Sequence, residues 1–168
     1  MKIADGILKD WNAFVDGVGY AGQVDTYTPP PLTIAQEDYR AAGMDAPIAQ
    51  DMGMEKLTAT LVFKNMPPEI VKRFGLVKNA ETRITMRGSR ENFDGTGAAE
   101  VHNLRGRIFS ATESTWQRGE STYEIGVELH YLKQSLNGDD LVEIDVLNMV
   151  RVIGGVDQLA DRRKRLGM

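Results

Sequence analysis

The chain has 168 residues, 42% hydrophobic and 26% charged, which is long enough to bury a core and too apolar for wholesale disorder. A formal charge of -4 excludes general affinity for nucleic acid, which needs clustered Lys and Arg, and the lack of cysteine excludes disulfides and thiolate chemistry. No apolar run approaches the roughly 20 residues of a membrane-spanning helix and no secretory layout opens the chain, so a single domain over residues 1–168, kept in the cytosol without a membrane partner, is expected.

Asn12 to Asp16 and Tyr20 to Tyr27 flank Gly17-Val18-Gly19, a pattern that predicts a strand, a tight turn and a strand. Pro29-Pro30-Pro31 ends the second strand, and Leu32 to Glu37 resumes an extended alternation. Tyr39 to Asp51 shows no sustained period, which predicts a long loop of a length that tends to be functional. Leu57, Ala59, Leu61 and Phe63 alternate with Thr58, Thr60 and Lys64, a strand with one buried face. Pro67-Pro68 and Gly75 bracket a short helix over Glu69 to Phe74 that should bury Ile70, Val71 and Phe74.

Three extended segments follow, Glu81 to Arg90, Val101 to Ser110 and Thr122 to Leu132, separated by turns at Asp94-Gly95 and Gln117-Arg118-Gly119. Asn137-Gly138, between Leu132 to Leu136 and Leu141 to Val146, is a strong hairpin signal. Val156, Leu159, Arg163 and Leu166 recur at helical spacing, so the chain should close with a helix whose basic end, Arg162 to Arg165, is either a solvated cap or a partner patch. The sum is a mainly β (α+β) antiparallel domain of about eight strands, whose edges must be closed, covered or paired with another chain.

The chemistry-bearing residues argue against catalysis. Gly17 to Gly22 fits GxGxxG, but the following Gln23 to Thr28 is β-prone, whereas a dinucleotide site needs a helix there. His102 and His130 stand apart from any acid at metal-ligand spacing, no Gly-x-Ser-x-Gly elbow occurs, and Glu37-Asp38 and Asp139-Asp140 sit beside turn signals. No catalytic, cofactor or metal residue is therefore expected, and a dinucleotide-binding enzyme is a remote alternative. Met44, Met52 and Met54, with Tyr39, place apolar side chains on a segment without a core period, so they either fold back or dock on a neighbour. Trp11 and Trp116 read as core or interface anchors.

FVDGVGYAG at Phe14 to Gly22, PPLTIAQEDYRAAGMDAP at Pro30 to Pro47, DMGME at Asp51 to Glu55, Phe74-Gly75-Leu76, LRGRI at Leu104 to Ile108, the turn Trp116 to Glu120, and IDVLNMVRVIGGVDQLADRRKRLG at Ile144 to Gly167 occur in this order. Over residues 11 to 168 the chain resembles the major tail tube proteins of contractile-tailed bacteriophages and R-type tailocins. It departs at Ala42, where a second glycine is usual, and at Glu113-Ser114-Thr115, which lacks the usual Pro-Gly.

The resemblance implies a tail-tube-type antiparallel β-barrel or sandwich with a short flanking helix, a C-terminal helix and an extended loop near residues 39–54. It implies homohexameric rings stacked into a tube, with the tail sheath protein, a tape measure protein in the lumen and a baseplate initiator as partners. DNA would pass through in transit, in a virion assembled in the bacterial host cytoplasm. A tailocin or another contractile device that delivers no genome is the alternative. A ring of about 24 strands would exceed the 16 to 18 that leave a water channel in porins. Six copies of -4 give about -24 per ring, a charge that repels DNA rather than gripping it. On this reading Tyr39, Arg40, Met44, Asp45, Met52 and Met54 form contacts between subunits or rings, and Thr58, Thr60, Glu124 and Glu128 face the lumen.

Overall fold

The computed structural model describes residues 6–75, 81–119 and 121–168; Leu76 and Glu120, quoted among the motifs, lie outside them. Strand β1 (Ile7–Val15) turns at Asp16-Gly17 into β2 (Val18–Gly19). Both turn residues have positive φ, 48° and 84°, as the two-residue turn of a twisted hairpin requires. The second strand expected over Tyr20 to Tyr27 is interrupted, because Gln23 N–H bonds back to the Tyr20 carbonyl and only then does β3 (Val24–Thr28) begin. No helix follows Gly22, so the geometry that GxGxxG needs is absent from this segment.

The expected loop over residues 39–54 is corrected. Strand β4 (Ile34–Tyr39) and strand β5 (Ile48–Met54) pair antiparallel as a separate two-stranded sheet, leaving only residues 40–47 as the tip. The alternation signal failed because this ladder has solvent on both faces along most of its length, so neither face had to be apolar.

β6 (Leu57–Phe63) follows its predicted alternation, with Leu57, Ala59, Leu61 and Phe63 buried and Thr58, Thr60 and Val62 only partly so. The helix α1 (Pro68–Val71) is shorter than expected; Ile70 is buried and Val71 packs partly on the core, but Phe74 lies beyond the helix and is half exposed. Strands β7 (Thr82–Glu91), β8 (Gly97–Glu113) and β9 (Tyr123–Leu136) are the long ones; β7 keeps its predicted length one residue later, and β8 and β9 outrun their predicted segments. At Asn137-Gly138, with φ of 52° and 90°, the predicted hairpin leads into β10 (Asp139–Asp145). β11 (Val150–Ile153) and β12 (Val156–Asp157) were not anticipated; they meet at Gly154-Gly155 and displace the start of α2 (Ala160–Leu166) from Val156 to Ala160. Val156 therefore belongs to a strand and is exposed, while Gly167 at φ 73° ends α2 as expected.

β9 is the hub. One of its edges pairs with β8 along its length; the other pairs first with β6 and then, from Tyr131, with β10. The main sheet thus forks into β3-β6 and β10-β11-β12, while β8 continues to β7, β1 and β2. Strands β1, β6, β7, β8 and β9 curl so that Val15, Leu61, Phe63, Ile84, Ile108, Ile125 and Val127 converge on one interior, stoppered by Ile70 of α1. Burial at this level stabilises by roughly 1.5 to 3 kcal/mol for each large apolar side chain. Between β1 and β3 no ladder forms among the described residues, and Tyr27 of β3 instead reaches His102 of β8 across the interior.

Candidate assembly surfaces

The β4-β5 hairpin is an arm. Its register sets Tyr39 opposite Ile48 and Glu37 opposite Gln50, so Tyr39, Ile48 and, two residues beyond Gln50, Met52 share one face by alternation. All three are more than half exposed, at 59%, 62% and 55%. The opposite face carries Gln36, Asp38 and Asp51, and Asp51 Oδ2 accepts a hydrogen bond of 2.7 Å from Arg151 Nη2 on β11. The arm is therefore tied to its own chain through Asp51 and leaves Tyr39, Ile48 and Met52 exposed on the opposite face, which also carries Glu37 and Gln50.

Of the residues expected to make contacts, the structure brings Tyr39 and Met52 together on this exposed face. Met54 lies at the arm's base, partly buried against the core. Arg40, Met44 and Asp45 occupy the tip and serve its local shape: Arg40 Nη2 donates to the Asp45 carbonyl at 3.4 Å, and Ala41 N–H faces Met44 Sδ at 3.3 Å. Ile48, the most exposed of the three apolar residues, went unnoticed in the sequence because it stands isolated between Pro47 and Ala49.

Thr58, Thr60, Glu124 and Glu128 share the face of β6 and β9 that turns away from the core. Thr58 pairs with Glu128, Thr60 with Gly126 and Val62 with Glu124. The two glutamates are exposed, and Glu128 makes an ion pair of 3.1 Å with Lys56. This face continues onto β8 and β7, where Arg107 lies opposite Glu128 and Arg105 opposite Arg83. The surface is therefore of mixed sign, not uniformly acidic. Arg105 sits over the Tyr131 ring at 4.5 Å.

The histidines are not as isolated as their sequence spacing implied. His102 is buried in a chain of polar contacts: its Nδ1 meets Tyr27 Oη at 3.1 Å, its Nε2 meets Glu100 Oε1 at 2.9 Å, and the second Glu100 oxygen takes the Arg90 guanidinium. Burial, aided by the Glu100 charge, pushes the Tyr27 phenol well above its usual value. Alternation puts Glu100 and His102 two residues apart on one face of β8, a pairing that metal-ligand patterns do not register. The group borders a cleft of about 370 Å³ between β1 and β3, lined also by Leu8, Trp11 and Met86. Among the described residues no cluster of three or more His or acidic side chains could hold a metal. Trp11 packs partly on the core, whereas Trp116 is 81% exposed in the β8-β9 loop. The basic end of α2 is divided: Arg163 bonds to Asp157 and to the Met149 carbonyl, while Arg162, Lys164 and Arg165 are exposed.

A curled antiparallel sheet that carries a two-stranded arm is thus the architecture of the described residues. The family model for phage tail tube protein FII matches residues 5–167, and the chain belongs to that family. It is 30% identical over 167 residues to the tail tube protein of Escherichia phage P2, covering 96% of each chain. To the major tail tube protein of Serratia phage KSP20 it is 28% identical over 158 residues, 92% of this chain and 91% of that one. A chain of the sheath-tube complex of an extracellular contractile injection system, PVC, shares the fold with a TM-score of 0.58 at 13% identity, covering 74% of this chain and 87% of that one. A chain of the anti-feeding prophage baseplate does so at 0.51 and 9%, covering 80% and 95%. The protein is thus a tail tube protein, structural and not enzymatic, and phage tail tube proteins are virion components.

Proposed function

We infer that this chain forms hexameric rings that stack into the hollow inner tube of a contractile phage tail, through which DNA leaves during ejection. The observation that carries the reading is the arm. It presents Tyr39, Ile48 and Met52 to solvent on a chain of the tail tube family, and a soluble protein seldom leaves such a face uncovered without a partner. Tyr39, Met52 and Ile48 supply the apolar contact with the adjacent copy; Arg40, Met44 and Asp45 shape the tip that enters it, and Met54 seats the base. The P2 and KSP20 relatives favour a phage tail over a device without a genome.

Thr58, Thr60, Glu124 and Glu128 face the lumen in this reading. Lys56, Arg83, Arg105 and Arg107 on the same face offset the glutamates locally, so the low affinity for DNA comes from the absence of a continuous basic track and from the net charge. The outer surface meets the sheath, the lumen holds the tape measure protein during assembly in the host cytoplasm, and a baseplate component starts the first ring. The solved structures that share the fold come from a sheath-tube complex and a baseplate, which agrees with both partners.

Sedimentation velocity of the wild type against Ile48→Asp and Met52→Asp tests the arm. The wild type is expected to form rings and longer species as concentration rises, and the variants to remain monomeric with unchanged thermal unfolding. Variants that assemble like the wild type would overturn the assignment of the arm.

A further inference from the structure

The geometry points to Arg151 as the positioning residue of the arm: a latch from Arg151 to Asp51 fixes the angle at which the arm leaves the body and so which face it offers to the next copy. This rests on the reading of the arm as a contact between copies. Four observations converge on it. Arg151 is one of few buried charged residues, with a side chain only 10% exposed, and its Nε is buried without a partner. Its Nη2 reaches Asp51 Oδ2 at 2.7 Å, one hundred residues away in sequence. Among the described residues this is the only side-chain hydrogen bond or ion pair between the β4-β5 ladder and the rest of the chain. Asp51 is itself held, since its Oδ1 accepts the Gly53 N–H at 2.7 Å and Gly53 has φ 103°, a conformation that other residues rarely adopt.

The pair is one-sided, with Arg151 buried and the Asp51 side chain 44% exposed, and an ion pair open to solvent on one side is a poor device for stability alone. What a guanidinium adds is direction: its N–H groups donate only in its own plane, and the single Nη2–H donated to Asp51 Oδ2 holds the carboxylate to a narrow range of angles. Direction matters here because the arm otherwise rests on Met54 and two connecting segments. Arg151 is placed by the β10-β11 register with Ile144, and its carbonyl takes the Gln158 N–H, so the C-terminal strands and α2 are tied to the same point. Asp51 on one face of β5 and Met52 on the other then make orientation of the Met52 face a direct consequence of the latch.

The cysteine-free chain allows a clean test. Spin labels at Ala42→Cys on the tip and Thr112→Cys on β8 report the angle of the arm in dilute monomer, and electron microscopy of the same proteins without labels reports assembly. Wild type is expected to give one narrow distance. Asp51→Asn and Arg151→Met are expected to lose it to a broad distribution while unfolding as cooperatively as the wild type, and to lose assembly; Arg151→Lys, which keeps the charge, is expected to recover part of both. A narrow, unshifted distance in Asp51→Asn and Arg151→Met would overturn the latch and leave the tube reading intact. A broad distance in those variants, with a wild type that never assembles, would uphold the latch and overturn the tube reading.

Discussion

Two carboxylates connect acid sensitivity to named contacts. The Arg151 hydrogen bond, with help from Gly53 N–H, holds the Asp51 carboxyl below its usual range, and the Arg163 hydrogen bond does the same for Asp157. A carboxyl depressed in the folded state contributes its full stability above the unfolded value, about 3.9. That contribution shrinks as pH falls toward the folded value and is gone below it. Thermal unfolding should therefore shift little between pH 7 and 5 on account of these groups and fall below about pH 4. Asp157→Asn should reduce the acid-dependent part of that fall, and an unaltered pH profile would contradict the assignment. Gly106 is the residue with least room: a Cβ there would lie 2.0 Å from the Glu128 carbonyl oxygen, which is backbone and cannot swing away. At Gly126 the nearest atoms are the ends of Ser110 and Phe109. Gly106→Ala should cost at least the 1 to 3 kcal/mol typical of overpacking, and more than Gly126→Ala, as denaturant midpoints would show.

Among the elements, those with one buried face were legible and those without one were not. β6 reads directly because Leu57, Ala59, Leu61 and Phe63 must all face one core. The turns at Asp16-Gly17 and Asn137-Gly138 read because twisted hairpins need positive φ and these residues tolerate it. β5 failed because its pairing satisfies the backbone with no core beneath it, and Ile48 and Met52 are more than half exposed. The start of α2 failed for a different reason: Val156 and Leu159 fit a helical spacing, but Gly154-Gly155 folds Val156-Asp157 back onto β11. The fork at β9 also carries a prediction. Leu132 is fully buried between Leu104 of β8 and Ile144 of β10, where the two branches of the sheet diverge. Leu132→Ala should destabilise by about 2 to 5 kcal/mol and lower the thermal midpoint, whereas Leu141→Ala, on the exposed side of β10, should stay within about 0.5 kcal/mol.

For the whole molecule, the family was legible in the order of its motifs, and the curled sheet supplies what those motifs could not: an arm with a defined outward face and a body whose non-core surface is continuous across β6, β9, β8 and β7. The candidate site was only half visible in the sequence. Tyr39 and Met52 stand out in the sequence through their apolar character, while Ile48 and the pairing of Asp51 with Arg151 depend on a register and a long-range contact that no local pattern encodes. Electron microscopy of the purified wild-type protein at increasing concentration, with and without baseplate material to start a ring, tests the central claim most directly. Six-fold rings or hollow rods, with density for the arm at the contact between copies, are predicted; monomers at every concentration with the initiator present, or rods in which the arm hangs free, would contradict it.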